Sequence, residues 1–210
     1  MDADQPAADN PNPSSPRKRP KPGERRTQIL QVLAGMLEQP GADRITTAAL
    51  AAKLDVSEAA LYRHFASKAQ MFEALIEFIE TSVFGLVNQI ADNPNPLPPP
   101  SKAARIASVI LQFGEKNPGM TRVMVGDALV YENERLVARM NQFFDRIESS
   151  LRQVLRSAAE AQGSMTPTVQ ANAQASVWAS FIIGRLQRYA RSGFKRMPTE
   201  QLEASLKAIG

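Results

Sequence analysis

Residues 44–68 read RITTAALAAKLDVSEAALYRHFASK. Two short helices joined by a tight turn fit this stretch, the pattern of a helix-turn-helix over residues 46–65. Thr46 and Thr47 cap the first helix, which ends at Leu54, and the second follows Ser57 and ends near Phe65. The first helix must pack closely on the second, and Ala48, Ala49, Ala51 and Ala52 keep it slim. Leu50, Leu54, Val56 and Leu61 supply a small core. Ser57 caps the second helix and leaves its start free to face a groove. Ser57, Glu58, Ala59 and Ala60 form that start, and the two alanines let the helix sit deep in a major groove of DNA. Tyr62, His64 and Lys68 supply donors for phosphates on either side. Thr46 and Thr47 can add hydroxyl and backbone contacts to a phosphate at a helix N-terminus. Lys53 and Arg63 are either further phosphate contacts or ordinary solvated charges.

Outward from this stretch the pattern is helical throughout, and no window alternates with period two, so the expected fold is all-α with about nine helices. A first helix runs from Glu24 to Gln39 with Ile29, Val32, Leu33, Met36 and Leu37 on one face, stopped by Pro40 and Gly41. Ser67 caps a long fourth helix whose stripe is Phe72, Leu75, Ile76, Ile79, Val83, Leu86 and Ile90. A fifth spans Ser101 to Lys116 and closes at Asn117-Pro118-Gly119, and a sixth covers Met120 to Tyr131. The seventh, Glu134 to Ala161, carries Leu136, Met140, Phe143, Phe144, Ile147, Leu151, Val154 and Leu155 at a spacing that also suits a short coiled coil. An eighth spans Thr168 to Ser192 and a ninth Thr199 to Ile209. Eleven of the fifteen prolines fall within residues 1–22 and 94–100, and both stretches must be non-helical. The expected organisation is a disordered Pro-rich tail over 1–22, a DNA-binding domain over 23–83 and a helical dimerisation and partner-binding domain over 84–210.

Charge is uneven along the chain. Residues 1–16 carry three Asp and no base, residues 17–68 ten Lys/Arg against five Asp/Glu, and residues 69–210 fifteen against thirteen. The positive charge gathers in the first third, which suits a nucleic-acid contact at one end. The run RKRPKPGERR at residues 17–26 makes Arg17, Lys18, Arg19 and Lys21 a basic arm for phosphates. The absence of cysteine and the single histidine, His64, exclude a thiolate nucleophile, a Cys zinc site and a His-pair metal site. No catalytic constellation and no cofactor or metal is expected. No stretch approaches 18 consecutive apolar residues, so no membrane segment is expected, and the acidic opening MDADQPAADN has no apolar region of a secretory signal.

The run T-x-x-x-L-A-x-x-x-x-V-S-x-x-x-L-Y-R-H-F-x-S-K resembles the DNA-binding signature of the TetR (tetracycline-repressor-type) family. The departure is Asp55, where that family usually has glycine in the turn; Asp tolerates the left-handed conformation better than most residues. Within the family, VSEAALYRHFASKAQMF, LIEFIE, FGEKNPGMTR and NQFFDRIESSLRQVLR are similar to its nucleoid occlusion branch. Those proteins bind chromosomal sites and block division-ring assembly over the nucleoid. The resemblance implies a cytoplasmic, nucleoid-associated protein, a palindromic duplex DNA site, a homodimer, and the division GTPase FtsZ as partner. The other reading is a TetR-type transcriptional repressor released by a small ligand.

Taking about 100° per residue, Phe78 falls about 120° from the stripe of the fourth helix, which makes it either an exposed contact point or packing under helix five or six. The resemblance makes Lys116 and Asn117, in the helix stop, companions of Phe78 on a partner surface. The eighth helix places Ala171, Ala175, Trp178, Phe181, Ile182, Leu186 and Tyr189 on one broad side. The resemblance makes Trp178, Phe181, Ile182 and Tyr189 a dimer interface; a core within one chain is the alternative.

Overall fold

The computed structural model describes residues 23–39, 44–93 and 101–209; the basic arm, the Pro40–Gly41 stop and the PNPLPPP linker lie outside them. The described residues form α1 Glu24–Leu37, α2 Thr47–Lys53, α3 Glu58–Tyr62, α4 Lys68–Ala91, α5 Lys102–Lys116, α6 Pro118–Met124, α7 Glu134–Ala161, α8 Pro167–Arg191 and α9 Leu202–Ile209, with no strand among them. A short 3-10 turn, Asp127–Leu129, stands between α6 and α7.

Local chemistry sets the helix starts. Ser67 Oγ accepts from the Gln70 N–H at 3.2 Å, and Ser101 Oγ accepts from Ala104 N–H at 3.3 Å. Each satisfies a donor that a helix start leaves without an internal partner. Pro118 occupies the first turn of α6, so Asn117-Pro118-Gly119 starts a helix as well as ending one. The expected sixth helix is shorter than its sequence pattern. It ends at Met124, and Gly126 turns the chain at φ 86° into the 3-10 turn.

The 24-residue α4 is the helix that the others share. Its buried residues are Met71, Phe72, Leu75, Ile76, Ile79, Val83, Phe84 and Val87. It packs against α1 on the N-terminal side and against α5, α6 and α7 beyond. Leu86 departs from its expected core position: it is 41% exposed, and Phe84 and Val87 are buried in its place. The reason is α7. The Phe84 ring meets Phe143 edge-on at 5.4 Å, and the Arg146 guanidinium lies 3.9 Å over the Phe84 centroid. Arg139 of α7 reaches both carboxylate oxygens of Glu80 on α4, at 3.1 and 2.6 Å. That hydrogen bond, with the charges of Glu80, Glu77 and Glu73 outweighing desolvation, holds the Arg139 guanidinium above its ordinary pKa. Lys68–Ala91 is apolar and long enough by composition to cross a membrane, but eight of its side chains are buried in this core.

The stripes of α7 and α8 face each other within one chain. Leu136, Met140, Phe143, Ile147, Leu151 and Val154 are buried from α7, and Ala171, Ala175, Trp178, Ile182, Leu186 and Tyr189 from α8. The hairpin between them closes on Gly163 at φ 74°, where Gly163 N–H donates to Glu160 O and Ser164 N–H to Ala159 O. This corrects the expected dimer face. Trp178, Ile182 and Tyr189 are 1%, 0% and 3% exposed in the single chain, and the half-buried Phe181 rests edge-on against Trp178 at 6.4 Å. The Tyr189 hydroxyl donates to Glu115 O at 3.1 Å, and burial, then the charges of Glu115 and Glu38, raise its pKa. A helical period cannot tell whether its own chain or a second copy covers an apolar face, and here α7 and α5 cover it.

A helix near the start of the chain and one from its middle come together at backbone distance. A Cβ on Gly119 of α6 would meet the Ala34 carbonyl oxygen of α1 at 2.0 Å, a separation that no side chain tolerates. Arg122 Nη1 donates to Leu37 O at 3.4 Å on the same seam. Gly119→Ala is therefore expected to destabilise the protein by about 1–3 kcal/mol through overpacking. Gly35→Ala, where nothing lies within 4 Å of the added carbon, should stabilise it by about 0.5–1 kcal/mol. Thermal denaturation of both variants checks the pair, and equal melting temperatures would refute the close approach.

Candidate nucleic-acid interface

The turn between α2 and α3 explains how an aspartate stands where a glycine would be easier. Asp55 has φ 55°, the left-handed region. Its N–H donates to Ala52 O at 3.2 Å, and Val56 N–H donates to Ala51 O at 3.1 Å. Those two bonds make the helix-ending motif that calls for a left-handed residue after the cap. Val56 then folds its side chain against the core beside buried Ala51 and Leu54. Leu50 and Leu61, each 1% exposed, lock the two helices together. The turn thus fixes the angle at which α3 leaves the body.

The outward side of this pair is where the candidate contacts stand. Thr46 Oγ1 accepts from Ala49 N–H at 3.1 Å, which leaves its hydroxyl proton for an outside acceptor. Ser57 Oγ accepts from Ala60 N–H at 3.3 Å and is exposed likewise. Lys53, Glu58, Ala59 and Arg63 are exposed, and Ala60 is half-buried. Tyr62 is 44% exposed, so its phenol is no part of the core. His64 is half-buried, and its carbonyl accepts from Arg26 Nη1 of α1, whose guanidinium also lies 4.2 Å over the Phe65 ring. Arg26 thereby fastens the end of α3 to α1, a role its place in a basic run did not announce.

Two expected DNA contacts are already engaged inside the molecule. The Thr47 hydroxyl donates to Glu58 Oε2 at 2.6 Å, so it is not the free donor the sequence offered. Lys68 pairs with Glu132, in the loop before α7, and its ammonium lies 5.7 Å from the Phe72 centroid. The Lys68 and Glu132 side chains are 26% and 9% exposed, so this bond holds the start of α4 to the C-terminal helices rather than facing outward. The residues between Lys68 and Glu132 in sequence hide such a partner from any local reading.

The remaining candidates lie away from this surface. Phe78 is 50% exposed on α4 and Lys116 is exposed at the end of α5. Asn117 Nδ2 donates one of its two protons to Phe113 O at 2.7 Å and so helps close α5, and its second amide proton and Oδ1 lie outside that bond. Among the described residues no group of three or more His, Cys, Asp or Glu is placed to hold a metal ion.

An exposed pair of short helices at the N-terminus, set on a C-terminal body of longer ones, is the architecture of the TetR-type DNA-binding regulators. Residues 29–75 match the family of bacterial regulatory proteins of the tetR type, and residues 101–209 match the SlmA-like, tetracyclin repressor-like C-terminal domain. The fold is similar to that of the TetR family transcriptional regulator PfmR from Thermus thermophilus, with a TM-score of 0.69 at 19% identity over 88% of this chain and 94% of that one. It is also similar to the transcriptional regulator FadR from Bacillus subtilis, with a TM-score of 0.64 at 10% identity over 87% and 96%. The nucleoid occlusion factor SlmA of Idiomarina loihiensis is 49% identical over 186 residues, 88% of this chain and 93% of its own. That of Vibrio cholerae is 49% identical over 180 residues, 85% of this chain and 90% of its own. The chain belongs to the SlmA family of nucleoid occlusion factors, within the TetR family.

Because Tyr62 is exposed, removing its ring should leave the fold intact. Tyr62→Ala is expected to weaken duplex binding by about 1–2 kcal/mol, the order of one lost hydrogen bond, with an unchanged melting temperature. Anisotropy of a labelled duplex measures the first and circular dichroism the second. A variant that unfolds would make Tyr62 a structural residue.

Proposed function

We propose that the chain is a sequence-specific DNA-binding nucleoid occlusion factor. As a homodimer it binds palindromic chromosomal sites through α2 and α3 and inhibits assembly of the FtsZ division ring there, negatively regulating septum formation. Its place is the cytoplasm, at the nucleoid. The observation that carries this reading is the span of the likeness: 49% identity runs through 88% of the chain, the reader and the C-terminal helices alike. A likeness confined to residues 29–75 would support DNA binding and nothing more.

Two-fold DNA sites call for a two-fold protein, with readers about 34 Å apart. The outward face of α8 suits the pairing. It carries exposed Val169 and Val177, at 69% and 55%, beside exposed Ala173, Ser176 and Ser180. Pro167 to Gly184 holds no charged residue. Charge-depleted, small and apolar surfaces are what a subunit contact buries.

Phe78 and Lys116 are the anchors for the partner. Lys102 donates to Ala91 O at 3.0 Å and to Asn93 O at 2.6 Å, so α5 begins where α4 ends, and α5 packs along α4. Returning along α4 at about 1.5 Å per residue, α5 brings Lys116 to the level of Phe78, each roughly 20 Å from that joint. An exposed aromatic and an exposed cation at one level of adjoining helices suit an acidic tail with an apolar residue. DNA on α2 and α3 acts on this surface through α4, whose start is held by the Lys68–Glu132 bond.

The fold neighbours are transcriptional regulators, which favours one other reading, a repressor released by an apolar ligand. A thermal-shift screen separates the two: the ligand stabilises a repressor, and the FtsZ tail stabilises an occlusion factor. Phe78→Ala and Lys116→Asp are expected to leave operator affinity unchanged and to weaken the FtsZ tail peptide at least about fivefold. Charge reversal should act more strongly at low salt. Anisotropy with an operator duplex and a tail peptide reads both. Joint loss of the two affinities would contradict separate surfaces, and full peptide affinity in both variants would move the partner elsewhere.

A further inference from the structure

We propose that Glu58 is a specificity-determining residue that reads the exocyclic amino group of a cytosine in each half-site, and that Thr47 is the positioning residue that aims it. The inference rests on the DNA-reading function above and adds what one side chain recognises. Glu58 opens α3 and is the one acid on that helix, in a stretch where Arg44, Lys53 and Arg63 are exposed cations. A carboxylate is out of place on a surface that meets phosphates unless it faces a donor. Thr47 Oγ1 donates to Glu58 Oε2 at 2.6 Å across the turn, which restrains the carboxylate and leaves Oε1 outside that bond. The neighbours Ala59 and Ala60 add no bulk, so the start of α3 can approach base edges closely.

The chemistry selects the base. An ionised carboxylate only accepts hydrogen bonds. In the major groove guanine presents two acceptors and thymine presents O4, and all three repel it. Adenine offers an amino group, but its N7 lone pair lies beside it. Cytosine offers N4–H₂ with no acceptor on its own groove edge, which makes it the favourable match. The competing explanation is that Glu58 merely answers the helix dipole and pins α2 to α3. That role predicts a stability effect and no base preference.

The test is selection of bound duplexes from a random pool by the full chain, repeated with Glu58→Gln, Thr47→Val and Thr47→Ser. The wild type should select cytosine at one position per half-site. Glu58→Gln should lose preference for cytosine there by about 5- to 140-fold and shift toward adenine, which glutamine reads through N6 and N7, with other positions unchanged. Thr47→Val should relax the same position alone, at an unchanged melting temperature, and Thr47→Ser should restore it. If Glu58→Gln and Thr47→Val both select the wild-type base everywhere, the inference is overturned while DNA reading stands. If the wild type itself selects no sequence, the DNA-reading function fails first.

Discussion

One helix threaded through the whole hydrophobic core is the constraint on which this molecule rests. α4 buries Met71 and Phe72 near its start and Val83, Phe84 and Val87 farther along, and it packs against α1, which carries the reader, as well as against α5, α6 and α7. Each of those side chains is 7% exposed or less. A rigid element buried at both ends cannot shift at one without disturbing the other, because close-packed interiors move between discrete arrangements rather than deforming smoothly. Gly119 against Ala34 O and Lys68 against Glu132 add two more ties across the same junction. The reader therefore sits on a body to which it is mechanically connected.

The same ties sort the positive charge. Arg26 is fastened to His64 O and Phe65, Lys68 to Glu132, and Arg139 to Glu80. Arg44, Lys53 and Arg63 remain exposed around α2 and α3. Counterion release rewards only cations that reach phosphates. A surplus counted along the sequence overstates the charge available for DNA, and Arg17, Lys18, Arg19 and Lys21 of the tail become correspondingly more important to the proposed contact.

What the sequence made legible was whatever is decided within a few residues. The caps at Thr46, Ser57 and Ser67 and the left-handed Asp55 all rest on bonds between near neighbours, and each was readable. Helical periodicity set Phe78 off the core stripe but left open whether another helix covers it, and it is 50% exposed. What the sequence concealed depends on distant neighbours. Leu86 lost its core place to Phe84 because Phe143 and Arg146 arrive from α7. Trp178 and Ile182 stood as a dimer face on the family resemblance, with a single-chain core as the alternative, because a period reports that a face is covered, not by which chain. Thr47 and Lys68 read as free donors until Glu58 and Glu132 were folded beside them.

The proposed function requires that DNA on the reader and the division GTPase at the proposed Phe78 and Lys116 surface be coupled through α4. The direct measurement is the affinity of the full chain for the FtsZ tail peptide, with and without saturating operator duplex. Coupling of ordinary size predicts tail binding about 5- to 150-fold tighter with the duplex present, and operator binding tighter by the same factor when the tail is bound. Equal tail affinity in the two conditions would contradict it.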